Sequence, residues 1–357
     1  RTHHISAFLR SLRFVKVMPL GISRDQALTI YFDDGPVTLD PAIANDIQSV
    51  QYIAQVFSGL LGFDRDLNLV ADLASEWRIS NNGTTYTFTL QENARFHNGR
   101  SVTARDVKYS WERAGSLTKD SAAATTYLND IVGMKRIFDG HTKEAAGIEV
   151  LDSRTLSVTI DAPKPYFLSK LTHSATYVVD QNNVEQGRLW WTKPNGTGPF
   201  KLKEWAFTTL FVLESNRDYY HGPPEVPFVV FRLYGGFPVL MYKSGEIDIA
   251  AIFGEDAKKA TTSDDTLHSE MVTIQELAIY YVGFAIDKPP FDDPMVRKAF
   301  TLAVDREKLV EQFFGNTRQV AHGFLPPGLP GYDASIPDIL FDPDEARRLL
   351  ADSSYGG

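Results

Sequence analysis

Residues 71–114 read ADLASEWRISNNGTTYTFTLQENARFHNGRSVTARDVKYSWERA, and no other stretch restricts the fold as tightly. Tyr86, Phe88 and Leu90 alternate with Thr85, Thr87 and Thr89, a period of two that gives a strand one apolar face and one hydroxyl face. Asn82-Gly83 lies just before it, between two strand-like runs, and this pair favours a tight primed turn with positive φ at both central residues. A second turn is expected at Asn98-Gly99. Thr103 stands three residues before Asp106, a capping-box spacing that opens a helix, and Val107, Trp111 and Ala114 then fall on one of its faces. The block reads as a hairpin that hands over to an amphipathic helix.

The rest of the chain must fit around that block. Its 357 residues exceed what one core usually supports, so two or more lobes are expected. With 43% apolar and 23% charged residues the composition is that of an ordinary globular protein. No apolar run approaches the ~20 residues that span a bilayer. The absence of cysteine removes disulfides, thiolate metal sites and cysteine nucleophiles. Lys and Arg number 36 against 45 Asp and Glu, and the net charge of −9 disfavours nucleic acid as the main partner. Residues 1–26 scatter Arg1, Arg10, Arg13, Lys16 and Arg24 among short apolar pieces. They lack the continuous apolar core of a signal peptide and read as an extension or linker.

Residues 27–32 (ALTIYF) predict a first buried strand, turned by Asp33-Asp34-Gly35-Pro36. Residues 47–61 predict a helix with Ile47, Val50, Ile53, Ala54, Phe57 and Leu61 roughly on one side. Residues 127–138 read as a helix or helix–loop, and 148–160 as a second hairpin turning at Asp152-Ser153-Arg154. Residues 195–205 (NGTGPFKLKEW) read as a tight turn entering a strand; Lys201 stands where a nucleotide loop needs its third glycine. Residues 229–233 and 280–286 predict further strands. Asp292-Asp293-Pro294 starts a helix carrying Val296, Ala299, Phe300 and Ala303. Asp305 caps the next, whose stripe is Leu309, Val310, Phe313 and Phe314.

Catalytic signatures are missing from the sequence: there is no H-E-x-x-H, G-x-S-x-G or P-loop. The histidines are scattered apart from His3-His4, and His97, His173, His221 and His322 read as surface or loop residues rather than metal ligands. Glu246 and Asp248 share one side of a strand and read as structural. No catalytic residue, metal site or cofactor is assigned. A binding protein would need no nucleophile, only a cleft, strand-end backbone groups and aromatic walls.

As an ordered string, Trp77, Gly83, Tyr86, Phe88, Leu90, Phe96, Asn98, Gly99, Val102, Thr103, Ala104, Asp106, Val107, Tyr109 and Ser110 resemble the signature of the peptide/nickel class of extracellular solute-binding proteins, receptors that feed ABC importers. Leu39-Asp40-Pro41, the GTGPF run, the 213–220 segment, Gly245-Glu246-Ile247-Asp248 and residues 290–310 (PFDDPMVRKAFTLAVDREKLV) extend the resemblance in the same order. It implies an α/β, periplasmic-binding-protein-like fold of two lobes (type II, with an extra α+β subdomain). Residues 27–62 and 172–272 would form lobe I and 63–171 the inserted subdomain. Residues 273–357 would form the first part of a second lobe, left incomplete where the family's pattern continues.

The implied ligand is a peptide or related small solute, held between lobes and passed to permease subunits by a monomeric, extracytoplasmic receptor. Candidate ligand-binding residues lie where lobe strands end. They are Phe32, Asp33 and Asp34 after the first strand, Phe253, Gly254 and Glu255 beyond residues 245–249, and Tyr280, Tyr281 and Gly283 on a crossover strand, with Tyr127 as a further aromatic. On a strand Tyr280 and Tyr281 point to opposite faces, so at most one would meet a ligand. An alternative places the same fold as the ligand sensor of a transcription regulator, with the basic segment 1–24 as the tail of an upstream DNA-binding domain.

Overall fold

A computed structural model of the chain describes residues 19, 21–80, 82–117, 122–252, 256–257, 266–274, 276–314 and 317–356. Phe253, Gly254 and Glu255 lie outside the described residues. Two compact units divide after Ala250.

The first unit contains β1 (Ala27–Phe32), α1 (Ile47–Val56), β2 (Leu61–Phe63), β3 (Leu69–Ala71), β4 (Ala74–Ile79), β5 (Thr85–Leu90) and α2 (Ala104–Ser116). It continues through α3 (Ala122–Leu128), α4 (Met134–Phe138), β6 (Ile148–Val150), β7 (Thr155–Thr159), β8 (Phe200–Ala206), β9 (Leu210–Ser215) and β10 (Phe228–Leu233). One sheet has the order β1-β10-β9-β8, with β1 parallel to β10 and the other pairs antiparallel. A parallel pair needs a crossover, and here the long chain between β1 and β8 supplies it. Within that crossover lies a second, antiparallel sheet in the order β4-β5-β7-β6.

The second sheet follows the sequence pattern closely. Tyr86, Phe88 and Leu90 are buried while Thr85, Thr87 and Thr89 stay partly exposed. Trp77 sits opposite Phe88, and Ile79 opposite Tyr86. The turn differs from the expected two-residue form. The Gly83 N–H bonds the Ser80 carbonyl at 2.8 Å, the Ser80 N–H bonds the Thr85 carbonyl at 2.9 Å, and of the pair only Gly83 has positive φ (71°). The turn closed by the Ser80–Gly83 bond has its left-handed residue at its fourth position, Gly83, which glycine fills without steric cost. Helix α2 starts at the expected capping box, where the Thr103 N–H donates to Asp106 Oδ2 at 2.8 Å. Its Val107, Trp111 and Ala114 pack into a core with Phe88, Leu156 and Phe167.

Helix α1 stops at Val56, short of the expected residue 61. The Val56 carbonyl is taken by the Gly198 N–H at 2.8 Å, and Leu61 leaves to pair with Ala71 in the β2–β3 ladder. Ile47, expected on the buried side, is 75% exposed at the helix's first position. The remaining apolar face packs Tyr52, Ile53 and Val56 on Phe211, Leu213 and Phe231 of the first sheet. Tyr52 is central, with ring distances of 4.6 Å to Phe211 and 4.9 Å to Phe231.

In the second unit α5 (Pro294–Leu302) begins as expected. Asp293 caps it by accepting the Met295 N–H at 2.7 Å, with Pro294 at the first position. It packs Ala299 and Leu302 on Ala346 of α7 (Pro343–Ala351). Between them, α6 (Arg306–Phe314) has no buried residue, so its apolar stripe faces solvent. The predicted strand at 280–286 does not form. A strand needs a neighbour for its ladder, and among the described residues the backbone bond this segment makes is a local turn, from the Lys288 N–H to the Ala285 carbonyl at 3.0 Å. No helix among the described residues is long and apolar enough to cross a membrane.

Candidate binding site

Because β1 and β10 run parallel, their carboxyl ends emerge at one edge of the sheet, with Phe32 opposite Leu233. In open α/β sheets ligands bind outside such carboxyl ends. Three loops meet at this edge. The Leu233 N–H bonds the Thr209 carbonyl at 3.0 Å, joining β10 to the β8–β9 turn. The loop after β1 is pinned by Tyr52, whose hydroxyl donates to the Asp34 carbonyl at 3.3 Å, and Gly35 is buried against Leu233 and the Phe207 carbonyl. The loop after β10 turns back on Tyr31 at Gly236.

Among the side chains these loops leave in solvent are carboxylates and aromatics. Asp33 and Asp34 are exposed carboxylates, and Asp33 accepts the Tyr31 hydroxyl at 2.8 Å. Burial and then this neighbour raise the Tyr31 pKa, which keeps the hydroxyl a donor. Phe207, Tyr234 and Phe237 are exposed aromatics. Phe207 is backed by Trp205 (centroids 4.3 Å apart, 28° between planes). Tyr234 holds φ of 50°, a conformation a side-chain-bearing residue adopts at a cost and one concentrated at functional sites. Carboxylates near exposed aromatic faces can take a cationic amine together with apolar groups. The far edge of β1 is closed by the 245–249 segment. Ile249 bridges Ile30, and Asp248 accepts the Thr29 N–H at 2.7 Å while pairing with Arg24. Against the cost of its burial, the Arg24 and Thr29 bonds hold the Asp248 carboxyl below its usual range, so Asp248 is structural as expected.

Of the residues expected to bind ligand, Asp33 and Asp34 stand at this edge. Phe32 does not face it: its ring packs on Tyr52 (5.8 Å) and Phe231 (5.4 Å) and lines an apolar cavity of ≈ 490 Å³ beside α1. Tyr127 lies on α3, stacked on His173 with centroids 3.7 Å apart. In the second unit Tyr280 and Tyr281 are both exposed, because without a strand nothing forces one of them inward. Tyr280 sits under Arg318 (5.1 Å), Tyr281 against Phe324 (5.2 Å), and Gly283 is exposed. Phe207, Tyr234 and Phe237 escaped the sequence reading. Their signal was present, since a bulky aromatic at a turn tip, as in AFTT, or on either side of a glycine pair, as in YGGF, sits where polar residues are usual. Among the described residues no cluster of His, Asp or Glu is arranged to hold a metal ion.

Comparisons with known proteins bear on this architecture. Residues 68–357 match the family model described as "Bacterial extracellular solute-binding proteins, family 5 Middle". The dipeptide-binding protein DppE of Bacillus subtilis is 30% identical over 343 residues, covering 92% of this chain and 62% of the relative. The periplasmic murein peptide-binding protein MppA of Escherichia coli is 30% identical over 364 residues, covering 97% and 66%. The solved structure of the Escherichia coli murein tripeptide binding protein MppA superposes with a TM-score of 0.81 at 29% identity, over 92% of this chain and 66% of its own. A periplasmic oligopeptide-binding protein from Borrelia burgdorferi gives 0.77 at 28%, over 92% and 66%. The chain thus spans 62 to 66% of the length of these relatives. Their names are those of binding proteins and lend no support to the regulator alternative.

Proposed function

The chain belongs to the bacterial extracellular solute-binding proteins of family 5, and from that membership we propose that it is the ligand-capturing part of a receptor for peptides or a related small solute, serving an ABC importer. The observation that carries the reading is the carboxyl edge of β1 and β10, where Asp33 and Asp34 stand among Phe207, Tyr234 and Phe237. The aromatic faces hold apolar side chains of the ligand, and the carboxylates attract its amine. The protein works without catalysis, as a monomer outside the cytoplasm, and delivers its ligand to permease subunits. The names of its relatives, dipeptide-binding and murein peptide-binding, support a peptide over other solutes. In this reading residues 27–62 and 172–272 are the body of the receptor, 63–171 an inserted subdomain and 273–357 part of the second lobe.

Calorimetric titration of the intact protein with short peptides tests it. Saturable binding is expected, weakened about three- to tenfold by Asp34→Asn through lost attraction for the ligand amine. Saturable binding of sugars or metal chelates but not of peptides would overturn the ligand class. Chemical turnover of a bound peptide would overturn the receptor reading itself.

A further inference from the structure

His97 occupies the turn between β5 and α2, and there it is no ordinary loop residue. Its Nδ1 receives the Gly196 N–H at 3.3 Å and its Nε2 meets the Gly198 carbonyl at 3.1 Å. An amide N–H can only donate and a carbonyl can only accept, so both bonds exist together in one form alone, the neutral imidazole with its proton on Nε2. The backbone adds a third tie, from the His97 N–H to the Gly196 carbonyl at 2.8 Å.

The loop so gripped is itself a fastening. The Gly198 N–H holds the Val56 carbonyl at 2.8 Å, and Thr197 Oγ1 accepts the Ser58 N–H at 3.0 Å. Residues 196–198 therefore fix the end of α1, the helix whose Tyr52 pins the Asp34 carbonyl. Every charged group of the junction disfavours a protonated ring or is already engaged. Lys201 of β8 donates to the His97 carbonyl at 3.2 Å and brings a positive charge. Arg100, from the same turn as His97, binds both Asp106 of α2 and Asp180, each at 2.8 Å. Asp180 also accepts from Asn195 at 2.6 Å, so neither carboxylate is free to receive an imidazolium.

We propose that His97 is a proton-sensitive latch that fastens the β4–β7 sheet and α2 to the rest of the first unit through residues 196–198. Protonation of Nδ1 sets an N–H against the Gly196 N–H, breaks that bond and adds a second cation beside Lys201. Burial, aided by Lys201 and opposed by the Gly198 bond, pulls the ring's pKa down to about 4. The folded pKa is thus below the ordinary 6.5. The latch is therefore fully closed above pH about 6.5 and opens as pH falls through about 4.

Amide hydrogen exchange on the intact protein, corrected for the intrinsic pH dependence of exchange, reads this directly. Between about pH 7 and pH 3.5, protection of Gly196 and Gly198 is expected to fall about tenfold or more while β5 and β7 keep theirs. His97→Gln removes that selective step. Loss of protection in all segments at one pH, or the same selective step in His97→Gln, overturns the latch. Should His97→Gln fail to fold, an NMR titration of the His97 ring in the unaltered protein decides. A midpoint near 4, matched by the exchange of Gly196, supports the proposal, and a midpoint near 6.5 overturns it. Neither readout involves a ligand, so the result is separable from the peptide-receptor reading.

Discussion

Asp40 and Arg113 show how much one buried contact carries. Asp40 is 3% exposed and accepts from Arg113 (Nη1 to Oδ1 3.0 Å) and from the Ala42 N–H (3.1 Å), while the guanidinium lies over Trp190 at 5.4 Å. Asp40→Ala leaves a largely buried cation without a partner, which costs about 3–5 kcal/mol. Asp40→Ala with Arg113→Met removes both charges and is expected to be the more stable of the two. Urea unfolding measures the difference, and equal losses in the two variants would deny the ion pair its role. Gly196 makes a steric counterpart. A Cβ there would sit 1.9 Å from the Val56 carbonyl oxygen, a backbone atom that cannot swing aside. Gly196→Ala is expected to cost about 2–4 kcal/mol by forcing the loop off α1, read in the same unfolding experiment. Neither effect is visible in the LDP or GTGPF strings alone, because each depends on atoms far along the chain.

At the scale of elements, the legible parts are those whose cause is local. The alternation of β5 and the capping box of α2 are written in neighbouring residues, and both formed where the pattern placed them. Asp106→Ala should lower stability by about 1 kcal/mol for the lost cap, and by more because Arg100 loses a partner. Thermal unfolding should show this with no change in sheet signal; an unchanged midpoint would mean the cap is redundant. Where the cause is distant the reading fails. Helix α1 ends early because Gly198 arrives from far along the sequence to take its carbonyl, and 280–286 stays irregular because a strand-like composition cannot supply its own neighbour. The candidate site divides along the same line. Asp33 and Asp34 follow β1 directly and could be named from the strand. Phe207, Tyr234 and Phe237 join them only because β8, β9 and β10 fold back beside β1.

At the scale of the molecule, two histidines that the fold keeps neutral make its stability depend on pH. His173 lies far from His97 in sequence but obeys the same rule. Its Nδ1 accepts the Ala175 N–H at 3.1 Å, its ring stacks on Tyr127, and burial pulls its pKa to about 4, as it does for His97. Both rings bind a proton more readily in the unfolded chain, where the pKa is about 6.5. Stability is therefore full above that value, declines as pH falls from about 6.5 to about 4, and loses nothing more to these two groups below it. Together they should account for a loss on the order of 3 kcal/mol, most of it from the more deeply buried His97, with His173 discounted for its partial contact with solvent. Urea midpoints measured across that window should slope downward toward acid, and His97→Gln with His173→Gln should flatten the slope. Carboxylates also titrate at the acid end, but they do so equally in the parent and the double variant, so the difference between the two curves isolates the histidines. A difference that first opens below about pH 4 would mean that the rings are charged in the native protein, and the neutral imidazole, bonded at both nitrogens in His97 and at Nδ1 in His173, would have to be abandoned at both sites.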